Sequence, residues 1–92
     1  MKRRLECVVT GRVQMVMFRD FVARNARKLG LTGTVQNCMN GSVHIIAEGD
    51  ELSLKQFLPI IAKGSMLSSV EDVQVTWGDA TGEYSTFTIT YK

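Results

Sequence analysis

The sequence predicts an α+β sandwich in which two helices cover one face of an antiparallel sheet, with the elements in the order β-α-β-β-α-β and a short fifth strand at the end. Three observations carry this expectation. Apolar residues alternate with period two in several separate stretches, two stretches between them change to the period of a helix, and glycines stand at the changes.

The elements follow in order. Leu5, Cys7 and Val9 alternate with Glu6, Val8 and Thr10, the pattern of a strand with one face on a core, and Gly11 ends it. From Phe18 the spacing is helical. Phe18, Phe21, Val22, Ala26 and Leu29 share one face, Asp20, Arg24, Asn25, Arg27 and Lys28 take the other, and Gly30 is the stop. Thr34 to Asn37 reads as a short strand, Met39, Asn40 and Gly41 as a turn, and Ser42 to Glu48 as a returning strand with Val43, Ile45 and Ala47 on one face. His44 alternates outward with Ile46 and Glu48, which makes it a surface residue. Gly49 and Asp50 open a second helix, with Asp50 as N-cap, Leu54, Phe57, Leu58 and Ile61 as its buried stripe and Gly64 as its stop. Pro59 inside that stripe predicts a kink or a loosened turn, because it removes one hydrogen bond and crowds the carbonyl four residues earlier. A strand from about Val70 to Trp77 follows, then a loop through Gly78, Asp79 and Gly82, and a last strand on which Phe87, Ile89 and Tyr91 alternate with threonines. This order is the ferredoxin-like sandwich, an architecture that hosts enzymes, RNA binders, metal chaperones and regulatory domains alike.

Composition narrows the classes. At 92 residues one domain is expected, and a hydrophobic fraction of 45% with 22% charged residues is that of an ordinary globular protein with no membrane span. Lys2, Arg3 and Arg4 are followed by Glu6 rather than by the apolar run of a signal peptide, so a cytoplasmic location is expected. The net charge of +2 is too small for a nucleic-acid footprint but does not oppose a small anionic substrate. Cys7 and Cys38 lie far apart, which predicts free thiols, and the single histidine with no Cys/His cluster predicts no metal.

Chemistry concentrates between Gly11 and Arg19. A strand ending at Gly11 and a helix starting near Phe18 leave a loop whose unpaired amides, with the positive end of the helix dipole, suit a phosphate, and Arg19 adds a guanidinium that grips two oxygens at once. Gly11, Arg12, Val13, Gln14, Met15, Val16, Met17, Phe18 and Arg19 closely resemble the acylphosphatase pattern Gly, any residue, Val, Gln, Gly, Val, any residue, Phe or Met, Arg, with Met15 in place of the second glycine. A second pattern of that family is matched by Gly33, Thr34, Val35, Gln36, Asn37, Gly41 and Val43, followed by Gly49, with Thr34 in place of an aromatic. The resemblance spans roughly residues 5 to 91.

What the resemblance implies is a single acylphosphatase-like domain over residues 1–92, hydrolysing the carboxyl-phosphate bond of acyl phosphates to carboxylate and inorganic phosphate, with no metal and no cofactor. Carried over by position, Arg19 and Asn37 are the catalytic pair. Arg19 binds the phosphoryl group with the backbone amides of Gln14, Met15, Val16, Met17, Phe18 and Arg19, and Asn37 holds the attacking water. The expected partner is a small acyl phosphate, without nucleic acid or membrane, in a monomer. Other readings of the same residues stand beside this one. Asn37 before a turn also serves local backbone hydrogen bonds, Gln14 also satisfies neighbouring backbone groups, and Val13, Val16 and Phe18 pack to anchor the loop. Arg24, Arg27 and Lys28 read as a solvated helix face with Asp20 paired to Arg24. If the Met15 position needs a left-handed backbone, methionine costs about 1 to 2 kcal/mol there. The alternative function is therefore a non-catalytic anion-binding domain impaired by Met15. An RNA binder of the same fold would carry base-stacking aromatics on central strands, whereas Trp77, Phe87 and Tyr91 come late and are accounted for by core packing. A metal chaperone would need a Cys-x-x-Cys loop at the first strand-helix junction, where this chain has none.

Overall fold

A computed structural model of the chain describes residues 1–14 and 17–91. Its elements are β1 (Lys2–Arg12), α1 (Phe18–Lys28), β2 (Thr32–Asn37), β3 (Val43–Asp50), α2 (Glu51–Lys63), β4 (Ser69–Asp79) and β5 (Phe87–Thr90). Among the described residues the strands form one sheet in the order β4-β1-β3-β2-β5. The first four pair antiparallel, as expected, but β5 runs parallel to β2, so the sheet is mixed.

The registers explain the single covered face. Leu5 pairs with Ala47, Cys7 with Ile45, Val9 with Val43, and Val35 with both Ile45 and Ile89, which gathers the predicted inward residues on one side. Leu5, Cys7, Val9, Val35, Val43, Ile45 and Ala47 are all fully buried beneath Phe18, Val22, Ala23 and Ala26 of α1 and Leu54, Phe57 and Ile61 of α2. Each Val, Leu, Ile or Phe among them contributes about 1.5 to 3 kcal/mol of burial. Phe57 meets Phe87 of β5 edge to face at 6.3 Å between centroids, joining the second helix to the last strand.

Two glycines fix the path into and beside the loop. Gly11 has φ +122° next to a register shift in the β1–β4 pairing, and a Cβ there would collide with the Ser69 carbonyl. Gly33 has φ +141° against the Ile46 carbonyl of the neighbouring strand, again leaving no room for a side chain. Asp50 sits at the N-cap of α2 in extended backbone but makes no side-chain capping bond, and the Glu51 amide donates to the Met1 carbonyl instead. Pro59 does not interrupt α2, which runs as one helix past it; the proline is exposed, and only the amide that would have bonded the Lys55 carbonyl is lost.

Glu48 departs from its outward alternation. It is only 4% exposed, because the segment joining β4 at one edge to β5 at the other crosses the sheet end above it. The Thr81 and Gly82 amides and the Thr81 hydroxyl donate to its carboxylate at 2.9 to 3.0 Å, and Arg4 adds a charged bond at 3.1 Å. Burial pushes the Glu48 carboxyl up, but these donors outweigh it and hold the group below the ordinary glutamate value. The ionised carboxylate therefore adds stability that is fully present above the ordinary value of about 4.3 and is lost as pH falls through the lower folded value. Glu48→Gln is expected to cost about 2 to 3 kcal/mol at pH 7, with the gap to the unaltered protein narrowing in acid. Urea unfolding at both pH values checks this; an equal gap at pH 7 and pH 3 would contradict it.

Candidate active site

Five chain segments reach the same end of the sheet: β1 at Arg12, β2 at Asn37, β3 at Val43, β4 at Ser69 and β5 at Thr90. The loop from β1 to α1 lies there, and its two ends are anchored by Val13 and Phe18, each 1% exposed. Phe18 also stacks on Phe21 at 6.1 Å. Met15 and Val16 lie outside the described residues, so the expectations placed on them concern a part of the loop not described.

Gln14 braces the loop. Its side-chain amide donates to the Cys38 and Ser42 carbonyls, both at 2.8 Å, tying the loop to the turn between β2 and β3. That turn is itself fixed by the Cys38 amide donating to the Ser42 carbonyl at 2.8 Å and by Asn40 Oδ1 accepting from the Ser42 amide and hydroxyl. The Gln14 side chain thus does satisfy neighbouring backbone groups, and in doing so it sets the loop beside Asn37.

Met17, at the N-cap of α1, has φ +59° and ψ +24°, left-handed backbone that costs a non-glycine residue about 1 to 2 kcal/mol. Among the described residues Met17 is the one non-glycine residue at positive φ, and the expectation placed on Met15 lies outside them. No side chain of the described residues caps α1, so its first amides point outward as donors without an intrahelical partner.

Arg19 is half-buried, and its guanidinium lies 4.9 Å from the centroid of the Tyr91 ring. The two line a hollow of about 460 Å³ with Val13, Met17, Phe18 and Ile89. Tyr91 is therefore a site neighbour that the sequence assigned to the core: its side chain is 77% exposed. No pattern in the sequence flags it, because its place depends on β5 running parallel to β2 beside α1. Phe87 is buried as expected, and Trp77 is half-buried against the core with Arg3 at 5.5 Å from its ring.

Asn37 ends β2 on the helix-covered face, in register with Val43. Its Oδ1 is buried with no hydrogen-bond partner among the described residues. Asn37 lines a second hollow with Gln36, Cys38 and Met39 rather than the one that holds Arg19, and Gln14 bridges the two regions through Cys38.

Other candidate groups lie elsewhere. Burial pushes the Cys7 thiol up to about 12, which makes it an inert core residue, and Cys38 is also a free thiol. His44 stands on the open sheet face, half-buried, with Nε2 3.6 Å from Glu6. Asp20 and Arg24 pair at 2.9 Å across one helical turn, as their spacing predicts. Among the described residues no group of three or more His, Cys, Asp or Glu is arranged to hold a metal ion.

Comparison with known proteins places this geometry in a family. The family model described as acylphosphatase matches residues 5–89. An acylphosphatase of Bacillus licheniformis is 50% identical over 84 residues, covering 91% of this chain and 93% of that protein. One from Dehalococcoides mccartyi (strain CBDB1) is 43% identical over 86 residues, covering 92% and 94% respectively. The crystal structure of acylphosphatase from Bacillus subtilis superposes with a TM-score of 0.93 at 39% identity, covering 97% of this chain and 99% of that one. Nothing in these comparisons favours a non-catalytic reading. The chain belongs to the acylphosphatase family and is a hydrolase of the carboxyl-phosphate bond of acyl phosphates.

Proposed function

We propose that the loop amides of residues 14 to 19 and the Arg19 guanidinium hold the phosphoryl group, while Asn37 positions the water that attacks it. The observation that carries this reading is the buried Oδ1 of Asn37 beside the braced loop, which has no hydrogen-bond partner among the described residues. A buried acceptor left unpaired costs about 1 to 3 kcal/mol, and a water donating one O–H to it relieves that cost while turning a lone pair outward toward phosphorus. Arg19 offers a planar fork for two equatorial oxygens, and the uncapped start of α1 offers amides and a positive dipole end for the others.

The chemistry then follows from charge. Water attacks phosphorus, the bond from phosphorus to the acyl oxygen breaks, the carboxylate leaves with the electron pair, and the water's proton passes to a phosphoryl oxygen. Asn37 has no useful basicity, so it orients and does not deprotonate. Phosphoryl transfer needs positioning and stabilisation of charge on the equatorial oxygens more than covalent help, and a carboxylate leaves without an acid. No metal or cofactor enters this scheme. The 92 residues act as one domain and as a monomer on a small acyl phosphate, without nucleic acid or membrane. Two free thiols suit a reducing cytoplasm, and no helix among the described residues is long and apolar enough to cross a membrane.

Phosphate release from benzoyl phosphate tests the reading. Hydrolysis is expected to persist unchanged in EDTA, with p-nitrophenyl phosphate barely turned over, because an aryloxide is more basic and a poorer leaving group than a carboxylate. Comparable rates on the two substrates, or loss of activity with chelator, would contradict it.

A further inference from the structure

The chain has three asparagines, Asn25, Asn37 and Asn40, and only Asn40 precedes a glycine. Asn25 lies within α1, where its side-chain amide donates to the Phe21 carbonyl at 2.8 Å, and Asn37 ends β2 with its Oδ1 buried. Asn40 and Gly41 are both exposed in the turn between β2 and β3. A glycine leaves its own peptide nitrogen unshielded, and around Gly41, at φ +92°, even an added Cβ would meet nothing within 4 Å. The Gly41 amide donates to the Cys38 carbonyl at 3.1 Å, the longest hydrogen bond described in this turn.

The turn also polarises the neighbouring side chain. Asn40 Oδ1 accepts from the Ser42 amide at 3.0 Å and from the Ser42 hydroxyl at 2.6 Å, two donors aimed at one oxygen. Donors fixed on an oxygen that gains negative charge stabilise addition to its carbonyl, as in an oxyanion hole. When solvent base takes the Gly41 amide proton, the nitrogen electron pair forms a bond to Asn40 Cγ and the charge collects on Oδ1 between those donors. The Cγ–Nδ2 bond then breaks, and Nδ2 takes a proton from water and leaves as ammonia. The product is a cyclic succinimide. Water opens it at either carbonyl: cleavage between Cγ and the Gly41 nitrogen leaves aspartate, whereas cleavage at the main-chain carbonyl leaves isoaspartate, whose backbone runs through the side chain and is longer by a methylene group.

We propose that Asn40–Gly41 is a self-modification site, primed by the Ser42 donors, at which succinimide formation and opening to isoaspartate lengthen the turn and switch the enzyme off. Gln14 holds the Cys38 and Ser42 carbonyls, both at 2.8 Å, and these flank residues 40 and 41 in the chain. A longer backbone between them pulls the pair apart and releases the brace beside Asn37. Aspartate without isomerisation keeps an oxygen for both Ser42 donors and leaves the turn in place. The effect on turnover rests on the role proposed for Asn37.

The test incubates the purified protein at an alkaline pH where circular dichroism shows the fold intact, and follows peptide masses, isoaspartate content and kcat for benzoyl phosphate together. The amide-to-acid mass change is expected at Asn40 ahead of Asn25 and Asn37, with loss of kcat in step with isoaspartate. Fresh Asn40→Asp is expected to keep kcat within about twofold, and Asn40→Ser, which cannot cyclise, to keep its activity through the incubation. Ser42→Ala removes one donor and is expected to slow succinimide formation about three- to tenfold. Modification spread evenly over the three asparagines overturns the site, and faster modification in Ser42→Ala overturns the priming. Isoaspartate at Asn40 with kcat retained overturns the switch; a collapsed kcat in Asn37→Ala then leaves the role of Asn37 standing. Failure of the fresh, unaltered protein on benzoyl phosphate overturns that role and the switch with it, while the masses at Asn40 still decide the site.

Discussion

Arg19→Lys is expected to lower kcat/KM for benzoyl phosphate by about a hundredfold and to weaken inhibition by inorganic phosphate in parallel. Lysine keeps the positive charge but replaces a planar fork with a point charge that cannot meet two oxygens side by side. Loss of one charge-assisted hydrogen bond is worth about 1.5 to 3 kcal/mol, and loss of the stacking that now holds the guanidinium 4.9 Å from Tyr91 adds about 0.5 to 1 kcal/mol. Together these reach the roughly 2.7 kcal/mol of a hundredfold effect. Because Arg19 is half-buried and outside the apolar core, the thermal midpoint moves little. Steady-state kinetics with phosphate as inhibitor checks both parts; a lysine variant that binds phosphate as tightly as the unaltered protein would remove Arg19 from the cradle.

The frame of this fold was legible because burial obeys simple periods. Leu5, Cys7 and Val9 face the core as their alternation demands, and Leu54, Phe57 and Ile61 form the stripe expected of α2. Strand ends were less legible. β1 extends to Lys2 and Arg12 and β4 to Ser69 and Asp79, because backbone pairing with a neighbour continues after the apolar alternation has stopped. The parallel direction of β5 is invisible to alternation altogether, which is the same for either direction. It is set by the 80–86 crossing, and that in turn by Glu48, whose outward position in the pattern hid a buried carboxylate.

The candidate site was legible in its residue types and not in its geometry. Gln14 and Asn37 were named, but that the Gln14 amide bonds two carbonyls of the turn following Asn37 required the hairpin in place. Tyr91 beside Arg19 required the parallel strand. The left-handed backbone at Met17 carries no signal in the sequence, since backbone angles in a loop depend on how both ends are anchored, here by Val13 and Phe18, and the expectation placed on Met15 falls outside the described residues.

Asn37→Ala separates placing water from holding phosphate. Alanine removes the buried Oδ1 and leaves Arg19 and the loop amides untouched, so kcat is expected to fall by about a hundredfold to a thousandfold, the scale of losing one preorganised polar group. Inhibition by inorganic phosphate is expected to stay within about twofold. Stability is expected to hold or to rise by up to about 1 kcal/mol, because a buried acceptor with no partner among the described residues has been removed. If Asn37 instead served only the local turn, alanine would destabilise the hairpin and spare turnover. The most direct measurement is therefore kcat for benzoyl phosphate beside the inhibition constant for phosphate in this one variant. A collapsed kcat with phosphate binding retained is expected; a kcat near that of the unaltered protein would remove Asn37 from the placement of water.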